Sequence, residues 1–374
     1  MSKKKLGFGL MRLPVSGEDA NSTVDHEKVC KMADSFIEAG FTYFDTAAPY
    51  HNGNSEIAFR ECVAKRYPRE AYTITDKLSL WMVKTAKDLP EFFQSQLKRC
   101  GVDYFDYYLL HALNKDAWQT AEELGAFDFI MEKKKEGRIK HIGFSFHDKA
   151  QVLEEILEKH PEVEYVQLQL NYADWEDDSV QSRKCYEVCV KYGKPVIVME
   201  PVKGGLLANV PKEAGKLLEE ACPGMSAASW AIRFAASLDN VFMVLSGMST
   251  QEQIEDNLSY MGSFKPLDEK EKELVFKTAG IIKAKEHVAC TGCRYCVDGC
   301  PMKIPIPTYF KLLNRISMYG DTQIAPAKKS YAEQWQKQNH GKASQCIQCR
   351  QCEEHCPQHL PIPSYLEEVA QTFE

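Results

Sequence analysis

Short apolar segments rich in β-branched and aromatic residues alternate with longer segments of helical period through the first 280 residues. Between the first two short segments, apolar residues recur at the spacing of a core-facing helix, namely Val29, Met32, Ala33, Phe36 and Ile37. Gly40 follows, where such a helix is expected to end. The pattern predicts eight strands, at residues 6–10, 42–45, 72–77, 105–111, 139–145, 165–170, 195–199 and 241–245.

Alternating strands and helices are typical of βα units in a parallel sheet. Eight such units favour a closed (β/α)8 TIM barrel, and a doubly wound open sheet is the alternative. The glycine-rich first turn of dinucleotide-binding open sheets, G-x-G-x-x-G, follows no early strand. Lysine and glutamate alternate over residues 265–286, which predicts an exposed helix leading out of the barrel. We therefore expect an α/β barrel over residues 1–283 and a smaller, mainly α-helical domain over 284–374.

Charge and cysteine content narrow the class of protein. The 46 Lys and Arg against 53 Asp and Glu give no electrostatic reason to expect nucleic acid or an anionic membrane as partner. No uncharged stretch approaches the ~18 residues that span a bilayer, and the basic start lacks a full apolar signal segment, so we expect a cytoplasmic protein. In that reducing compartment clustered cysteines hold metal more often than they form disulfides. Eight of the 14 cysteines lie after residue 289, and the other six, Cys185 and Cys189 among them, are expected to need no chemistry.

The late cysteines form two runs with the same spacing, C-x2-C-x2-C-x3-C-P. The runs are Cys290, Cys293, Cys296 and Cys300, then Cys346, Cys349, Cys352 and Cys356. The similarity continues beyond the cysteines, since Pro301-Met-Lys-Ile-Pro-Ile-Pro repeats as Pro357-Gln-His-Leu-Pro-Ile-Pro at an offset of 56 residues. The segment is therefore a duplicated unit with a bacterial ferredoxin motif in each half.

Three thiolates at this spacing can hold three corners of a cubane, and the fourth cysteine ligates the partner cluster in two-cluster ferredoxins. The rule predicts one 4Fe-4S cluster on Cys290, Cys293, Cys296 and Cys356, and a second on Cys346, Cys349, Cys352 and Cys300. Structural zinc is the alternative, but it leaves no use for the third closely spaced cysteine or the proline. The long helical spacer between the runs resembles the α-helical ferredoxin type.

Four polar residues lie at or just beyond the C-terminal ends of strands two to four, where barrel enzymes place their chemistry: Asp45, Tyr50, Lys77 and His111. Each alone has an ordinary structural interpretation. Together they form an acid site, because a tyrosine of pKa ~10 needs a nearby cation to exchange protons near neutral pH. Lys77 would supply the cation and Asp45 its anchor. His111 would hydrogen-bond the substrate oxygen.

Residues 6–260 resemble the aldo-keto reductase family, whose catalytic tetrad these four residues match, and Gly53-Asn-Ser-Glu56 resembles the loop that follows the family's tyrosine. The resemblance implies reduction of a small carbonyl, or oxidation of an alcohol, by a nicotinamide cofactor with Tyr50 as proton donor. It also implies cofactor contacts at Ser145, Gln167, Met199, Gln253 and Asn257. Phe146 and Met199 replace the family's usual asparagine and stacking aromatic residue, and the basic residues around an NADP 2'-phosphate are missing.

A phosphate site is expected in the loops after strands seven and eight. Gly204, Gly205 and Gly247 permit close approach of the backbone. Ser249 to Glu252 reads as a capping box that opens a helix, whose N-terminus favours anions.

Electron counting adds a further cofactor. Nicotinamide passes two electrons as hydride and iron-sulfur clusters pass one at a time, whereas a flavin does both. We therefore expect FMN, or a flavin with NAD(H), in the barrel, and an external electron partner of ferredoxin or flavodoxin type. The alternatives are an ordinary NAD(P)H-dependent reductase with structural or regulatory clusters, and a non-enzymatic electron carrier built on an inactive barrel.

Overall fold

The computed structural model describes residues 4–17, 23–178, 180–320, 323–336 and 340–374. Eight parallel strands close into a barrel in which each strand pairs with the next along the chain and the last pairs with the first. The barrel strands are β1 (Leu6–Gly9), β4 (Tyr43–Asp45), β5 (Thr73–Leu78), β6 (Phe105–Leu113), β7 (Ile139–Phe146), β8 (Tyr165–Gln169), β9 (Val196–Met199) and β10 (Val241–Ser246). The TIM barrel prediction is confirmed, and each predicted strand end lies within two residues of the observed one.

A short antiparallel pair, which the sequence pattern did not predict, stands outside the barrel sheet. It consists of β2 (Val15–Ser16) and β3 (Thr23–Val24). Two-residue strands carry too little hydrophobic alternation to be recognised in a sequence.

Helices follow the barrel strands. They are α1 (His26–Glu38), α2 (Asn54–Phe59), α3 (Leu89–Cys100), α4 (Lys115–Glu123), α5 (Ala126–Lys135), α6 (Ala150–Lys159), α7 (Ser182–Lys191), α8 (Lys212–Ala221), α9 (Ala227–Ala236) and α10 (Gln251–Met261). Asp25 caps α1 by accepting a hydrogen bond from the Lys28 N–H. The predicted apolar stripe of α1 faces inward, where the Phe36 ring lies 5.4 Å from that of Phe44 on β4. This packing fixes the strand that carries the first site residue.

The chain forms two compact units. The first consists of Met1–Pro201 with Ala231–Leu267, and the second of Val202–Trp230 with Asp268–Glu374. The division differs from the predicted boundary at residue 283, because α11 (Glu269–Lys283) packs on α8 within the second unit. The expectation that this helix is simply exposed is wrong in part. It buries Val275, Thr278 and Ile282 along one side.

The second unit continues with α12 (Tyr295–Asp298), α13 (Ile306–Tyr319), α14 (Ile324–Gln336), α15 (Gln351–Glu354) and α16 (Ile362–Phe373). Its core is formed by large side chains from α13, α14 and α16, among them Tyr309, Phe310, Tyr331 and Leu366. The C-terminal segment is therefore helical, as predicted. None of the helices within the described ranges is both long and apolar enough to cross a membrane.

Two cysteines of the barrel form a bond that the sequence pattern did not predict. Cys30 on α1 and Cys62, just beyond α2, are joined in a disulfide. The expectation that the six early cysteines need no chemistry is therefore wrong for this pair, whose separation of 32 residues matches no motif. Cys185 and Cys189 are free and buried, as expected.

Candidate functional site

The four predicted acid-site residues come together at the ends of three neighbouring strands. Lys77 on β5 donates from Nζ to Asp45 Oδ1 on β4 over 2.6 Å and to the Thr46 carbonyl over 2.7 Å. The same Nζ lies 4.7 Å from the centre of the Tyr50 ring, and that ring lies 6.0 Å from the imidazole of His111 on β6. All four side chains are buried, Lys77 to 1% exposure. The four residues that the sequence pattern groups therefore lie close together in the structure.

Tyr50 is held by a strained turn. His51, Asn52 and Gly53 all have positive φ angles, which is rare for residues other than glycine. The Leu13 N–H donates to His51 Nε2 over 3.2 Å and ties the turn to the segment after β1. Strain of this kind costs about 1–3 kcal/mol per residue and is concentrated at functional sites.

Burial dominates the electrostatics of the acid site. It raises the pKa of Asp45 despite the opposing charge of Lys77, and Asp45 Oδ2 has no hydrogen-bond partner in the described part of the chain. Burial, followed by the charges of Asp45 and Glu200, also raises the pKa of Tyr50 well above 10, with Arg12 opposing. This direction is opposite to the expectation that the charge of Lys77 brings the pKa of Tyr50 closer to neutral pH. Tyr50 therefore holds its proton at neutral pH.

His111 is neutral. Burial, then the charge of Lys77 and that of His147, lowers its pKa well below 6.5. Its Nδ1 lies 2.8 Å from the Ser79 hydroxyl, and the exposed ring of Trp81 lies 4.9 Å from the imidazole. Ser79 was missed in the sequence, where it reads as an ordinary serine after a strand. A serine that donates to Nδ1 leaves the other ring nitrogen protonated and able to donate.

A buried polar network supports the strand that carries Lys77. Asp76 Oδ1 accepts from the Lys77 N–H over 2.8 Å and from Gln96 Nε2 over 3.0 Å. Burial and then Glu56 raise the pKa of Asp76 well above its usual range, and Glu56 is itself paired with Arg99. Through Gln96, which also donates to the Lys77 carbonyl, these contacts join β5 to α3 behind the site.

Three of the residues expected to contact the cofactor lie on β7, β8 and β9. Ser145 is buried, and its Oγ accepts a hydrogen bond from the Ala112 N–H over 2.7 Å. Gln167 is buried, and its Oε1 has no partner among the described residues, so it fits an amide donor such as the carboxamide of nicotinamide. Met199 ends β9 and is half-buried.

The loop after β10 differs in detail from its prediction. The capping residue of α10 is Thr250 rather than Ser249, since Thr250 is extended and its Oγ1 accepts from the Gln253 N–H. Ser249 instead donates from Oγ to the Arg12 carbonyl over 2.6 Å, and its N–H donates to Gln253 Oε1. Asn257 is buried, with Oδ1 unpartnered within the described ranges.

Arg12 is a cation that the sequence did not reveal at this loop. A Cβ on Gly247 would lie 3.3 Å from the Arg12 Cδ, so the arginine stem covers this glycine. The Arg12 guanidinium pairs with Glu200 over 3.3 Å. The two residues are 188 positions apart in sequence, which is why no local motif shows them together.

Gly204 and Gly205 both have positive φ angles. A Cβ on Gly204 would lie 2.2 Å from the Thr291 carbonyl oxygen within the second unit. The close backbone approach at Gly204 is therefore made by Thr291, whereas nothing lies within 4 Å of a Cβ on Gly205. The neighbouring Lys203 is buried and pairs with Glu286 over 3.4 Å.

The eight late cysteines surround two cavities. Cys290, Cys293, Cys296 and Cys356 line one, and Cys300, Cys346, Cys349 and Cys352 line the other. These are the same two sets that the exchange of fourth cysteines assigns. The remaining walls are largely apolar, and the Gly292 N–H points at Cys290 Sγ over 3.4 Å, as in the N–H contacts that tune cluster sulfurs. An all-thiolate donor set in each cavity fits an iron-sulfur cluster.

Comparison with known proteins agrees with both halves of this description. The Aldo/keto reductase family model matches residues 5–277, and the 4Fe-4S dicluster domain model matches residues 289–360. An aldo-keto reductase of Mycolicibacterium smegmatis is 30% identical over 270 residues, which cover 69% of this chain and 85% of that protein. The NADH-specific methylglyoxal reductase of Escherichia coli is 26% identical over 225 residues, covering 54% of this chain and 65% of that protein. An aldo/keto reductase from Klebsiella pneumoniae, solved with NADP and acetate, shares the fold with a TM-score of 0.59 at 18% identity, over 74% of this chain and 91% of that one.

Proposed function

Because this chain belongs to the aldo/keto reductase family of oxidoreductases and carries a 4Fe-4S dicluster domain, we propose that it reduces a small carbonyl with Tyr50 as the acid. The observation that carries the proposal is the buried contact of Lys77 with Asp45 beside the Tyr50 ring. The raised pKa of Tyr50 keeps its hydroxyl protonated at neutral pH, which is the form that an acid in carbonyl reduction requires.

Each residue of the site has a distinct task. Tyr50 donates its hydroxyl proton to the carbonyl oxygen. Neutral His111 orients the same oxygen by donating from Nε2, which requires Ser79 to donate to Nδ1. Lys77 stabilises the charge that develops on Tyr50, and Asp45 holds Lys77 in place. When bound, the cofactor supplies the hydride.

The cofactor proposal rests on the unpartnered acceptors of Gln167 and Asn257, which fit amide and amino donors. NAD(H) suits the site better than NADP(H), because the nearby Arg12 is already paired with Glu200. The relative from Escherichia coli is named NADH-specific. FMN, alone or with NAD(H), remains our proposal for the converter between hydride and single electrons.

Two 4Fe-4S clusters, one in each cysteine-lined cavity, are proposed to exchange electrons with this barrel cofactor and with an external carrier of ferredoxin or flavodoxin type. The second candidate is an ordinary NAD(P)H-dependent reductase whose clusters only stabilise the fold or regulate it. The fit of Gln167 to a nicotinamide carboxamide favours this candidate.

Replacement of Tyr50 by phenylalanine tests the acid. We expect kcat for carbonyl reduction to fall by about 10²–10⁴-fold, the usual contribution of a positioned acid. Tyr165→Phe is the matched control. The Tyr165 hydroxyl is also buried and has no partner within the described chain, and the residue lies at the start of β8 rather than at the strand ends that carry the acid site. Activity retained in Tyr50→Phe would show that the tetrad is idle.

Cofactor content tests the flavin proposal and the iron-sulfur assignment. The protein is purified anaerobically, its iron and sulfide are counted, and the released small molecules are separated by chromatography. Full iron without flavin would refute the flavin proposal. If Cys352→Ser keeps its barrel folded and its full NAD(P)H-linked turnover, the clusters are structural and the second candidate is correct.

A further inference from the structure

The duplicated unit contains its own internal control, because each position of the first cysteine run has a counterpart 56 residues later. The two runs fold alike. Arg294 and Arg350 each take a left-handed conformation, with φ of 72° and 60°, and each precedes a four-residue helix. Gly292 and Gln348 also both have positive φ angles. Differences in exposure between the runs therefore do not arise from a different backbone.

Residues of the second cysteine run are more exposed to solvent than their counterparts in the first. Thr291 is 3% exposed, and its backbone meets Gly204. Its counterpart Ile347 is 61% exposed, the highest value among the large apolar side chains that the structure describes. Cys293 is half-buried, whereas its counterpart Cys349 is exposed. The duplication thus has one protected end and one open end.

An exposed isoleucine beside an exposed cluster ligand is costly unless something covers it. Burial of such a side chain by a partner is worth about 1.5–3 kcal/mol in general. Ile347 and Cys349 line the same cavity, so whatever covers the isoleucine lies directly beside the cluster site. A redox partner in contact here would lie within reach of the cluster site.

We propose that the loop of residues 347–350 is the docking surface for a one-electron carrier protein of ferredoxin type. The inference rests on the proposed function, since a cluster must occupy the cavity of Cys346, Cys349, Cys352 and Cys300. Each encounter oxidises the carrier by one electron and reduces the cluster by one, and no bond forms or breaks. Two encounters supply the electron pair of one carbonyl reduction, whose two protons come from solvent, one of them through Tyr50.

Charges around the loop indicate what kind of contact this is. Arg350 lies 3.9 Å from Glu353, and Gln348 donates to Glu367 over 2.6 Å, so charges of both signs are mixed here and no single-sign patch steers a strongly charged partner. Electron-transfer encounters also bury small areas. The contact is therefore centred on the apolar side chain of Ile347, and the association rate depends only weakly on ionic strength.

The test uses the full chain loaded with iron and sulfide under anaerobic conditions. Reduction of the clusters by a reduced two-cluster ferredoxin is followed in a stopped-flow spectrophotometer through the loss of cluster absorbance, with dithionite as a small reductant that needs no docking surface. We expect Ile347→Asp to lower the second-order rate with ferredoxin by about tenfold or more and to leave iron content and the dithionite rate unchanged. Val190→Asp is the matched control, because Val190 is 50% exposed on the barrel helix α7.

Arg350→Ala provides a second variant in case Ile347→Asp loses iron, since the Arg350 side chain is 76% exposed. We expect it to slow ferredoxin about threefold. Equal ferredoxin rates in wild type and both variants would overturn the docking surface while leaving the cluster assignment intact. Sedimentation as a dimer that Ile347→Asp dissociates would overturn it as well, by identifying a second copy as the occupant. Failure to bind iron at all would instead contradict the proposed function.

Discussion

The ion pair of Lys77 and Asp45 makes a prediction about stability that is independent of substrate. Lys77→Met keeps most of the length of the side chain and removes its charge. Asp45 then remains buried without its cation, and Thr46 loses the donor to its carbonyl. We expect the barrel to lose stability in a manner that depends on pH.

The magnitude follows from the geometry. At 2.6 Å and an effective dielectric of about 20, the attraction between unit charges is about 6 kcal/mol. Desolvation offsets part of this, and removal of one partner from a buried pair typically costs about 3–5 kcal/mol. Burial already raises the pKa of Asp45, and loss of Lys77 raises it further. The carboxyl is therefore protonated in both folded and unfolded states below about pH 4, and the cost of the variant appears as pH rises through the folded-state pKa.

Guanidinium denaturation of the iron-loaded protein at pH 5 and pH 8, followed by tryptophan fluorescence, measures this cost. We expect Lys77→Met to lose about 3–5 kcal/mol at pH 8 and clearly less at pH 5. Exposed Lys87→Met serves as the control. The double variant Asp45→Asn/Lys77→Met should recover much of the loss, because no unpaired charge remains. A loss that is equal at both pH values, or larger at pH 5, would refute the reasoning.

Three further predictions concern single contacts. Ser79→Ala should lower kcat about five- to tenfold with little change in KM, because the imidazole of the tetrad loses the hydrogen bond that selects its tautomer, and Ser79→Thr should restore part of the rate in steady-state assays. Reduction of the disulfide of Cys30 and Cys62 should lower the free energy of unfolding by roughly 3–4 kcal/mol, because the disulfide closes a loop of 32 residues. Denaturation with and without reductant measures this difference. A Cys30→Ser protein whose stability still changes with reductant would contradict the prediction. Gly204→Ala should lower the free energy of unfolding by about 1–3 kcal/mol and lower the temperature at which cluster absorbance is lost, because the new Cβ clashes with Thr291. Gly205→Ala should lose only the free energy of its unfavourable backbone conformation. Equal losses of stability in the two variants would argue against the clash.

Local patterns carried the parts of the fold that could be predicted. The eight strands were readable because each is a short apolar segment next to a helical stripe, and the cysteine sets because a ferredoxin motif has fixed spacing. Contacts between segments that are distant along the chain could not be predicted from local sequence patterns. Arg12 reaches Glu200, and Cys30 reaches Cys62, only because the closed barrel brings their segments together.

The acid site shows the same division. Its four members could be found because each lies near a strand end or in the loop just beyond it, where barrel geometry gathers side chains. The pKa of Tyr50 could not be inferred, because it depends on how completely the pocket excludes water and on Glu200. Gly204 likewise reads as a phosphate-binding glycine in sequence, yet in the fold it accommodates the backbone of Thr291.

The exchange of fourth cysteines makes the two repeats of the C-terminal segment depend on each other. Each cavity takes three thiols from one repeat and one from the other. Neither repeat lines a four-thiol cavity by itself in this fold, so loss of a fourth cysteine damages the site to which the other repeat contributes three thiols.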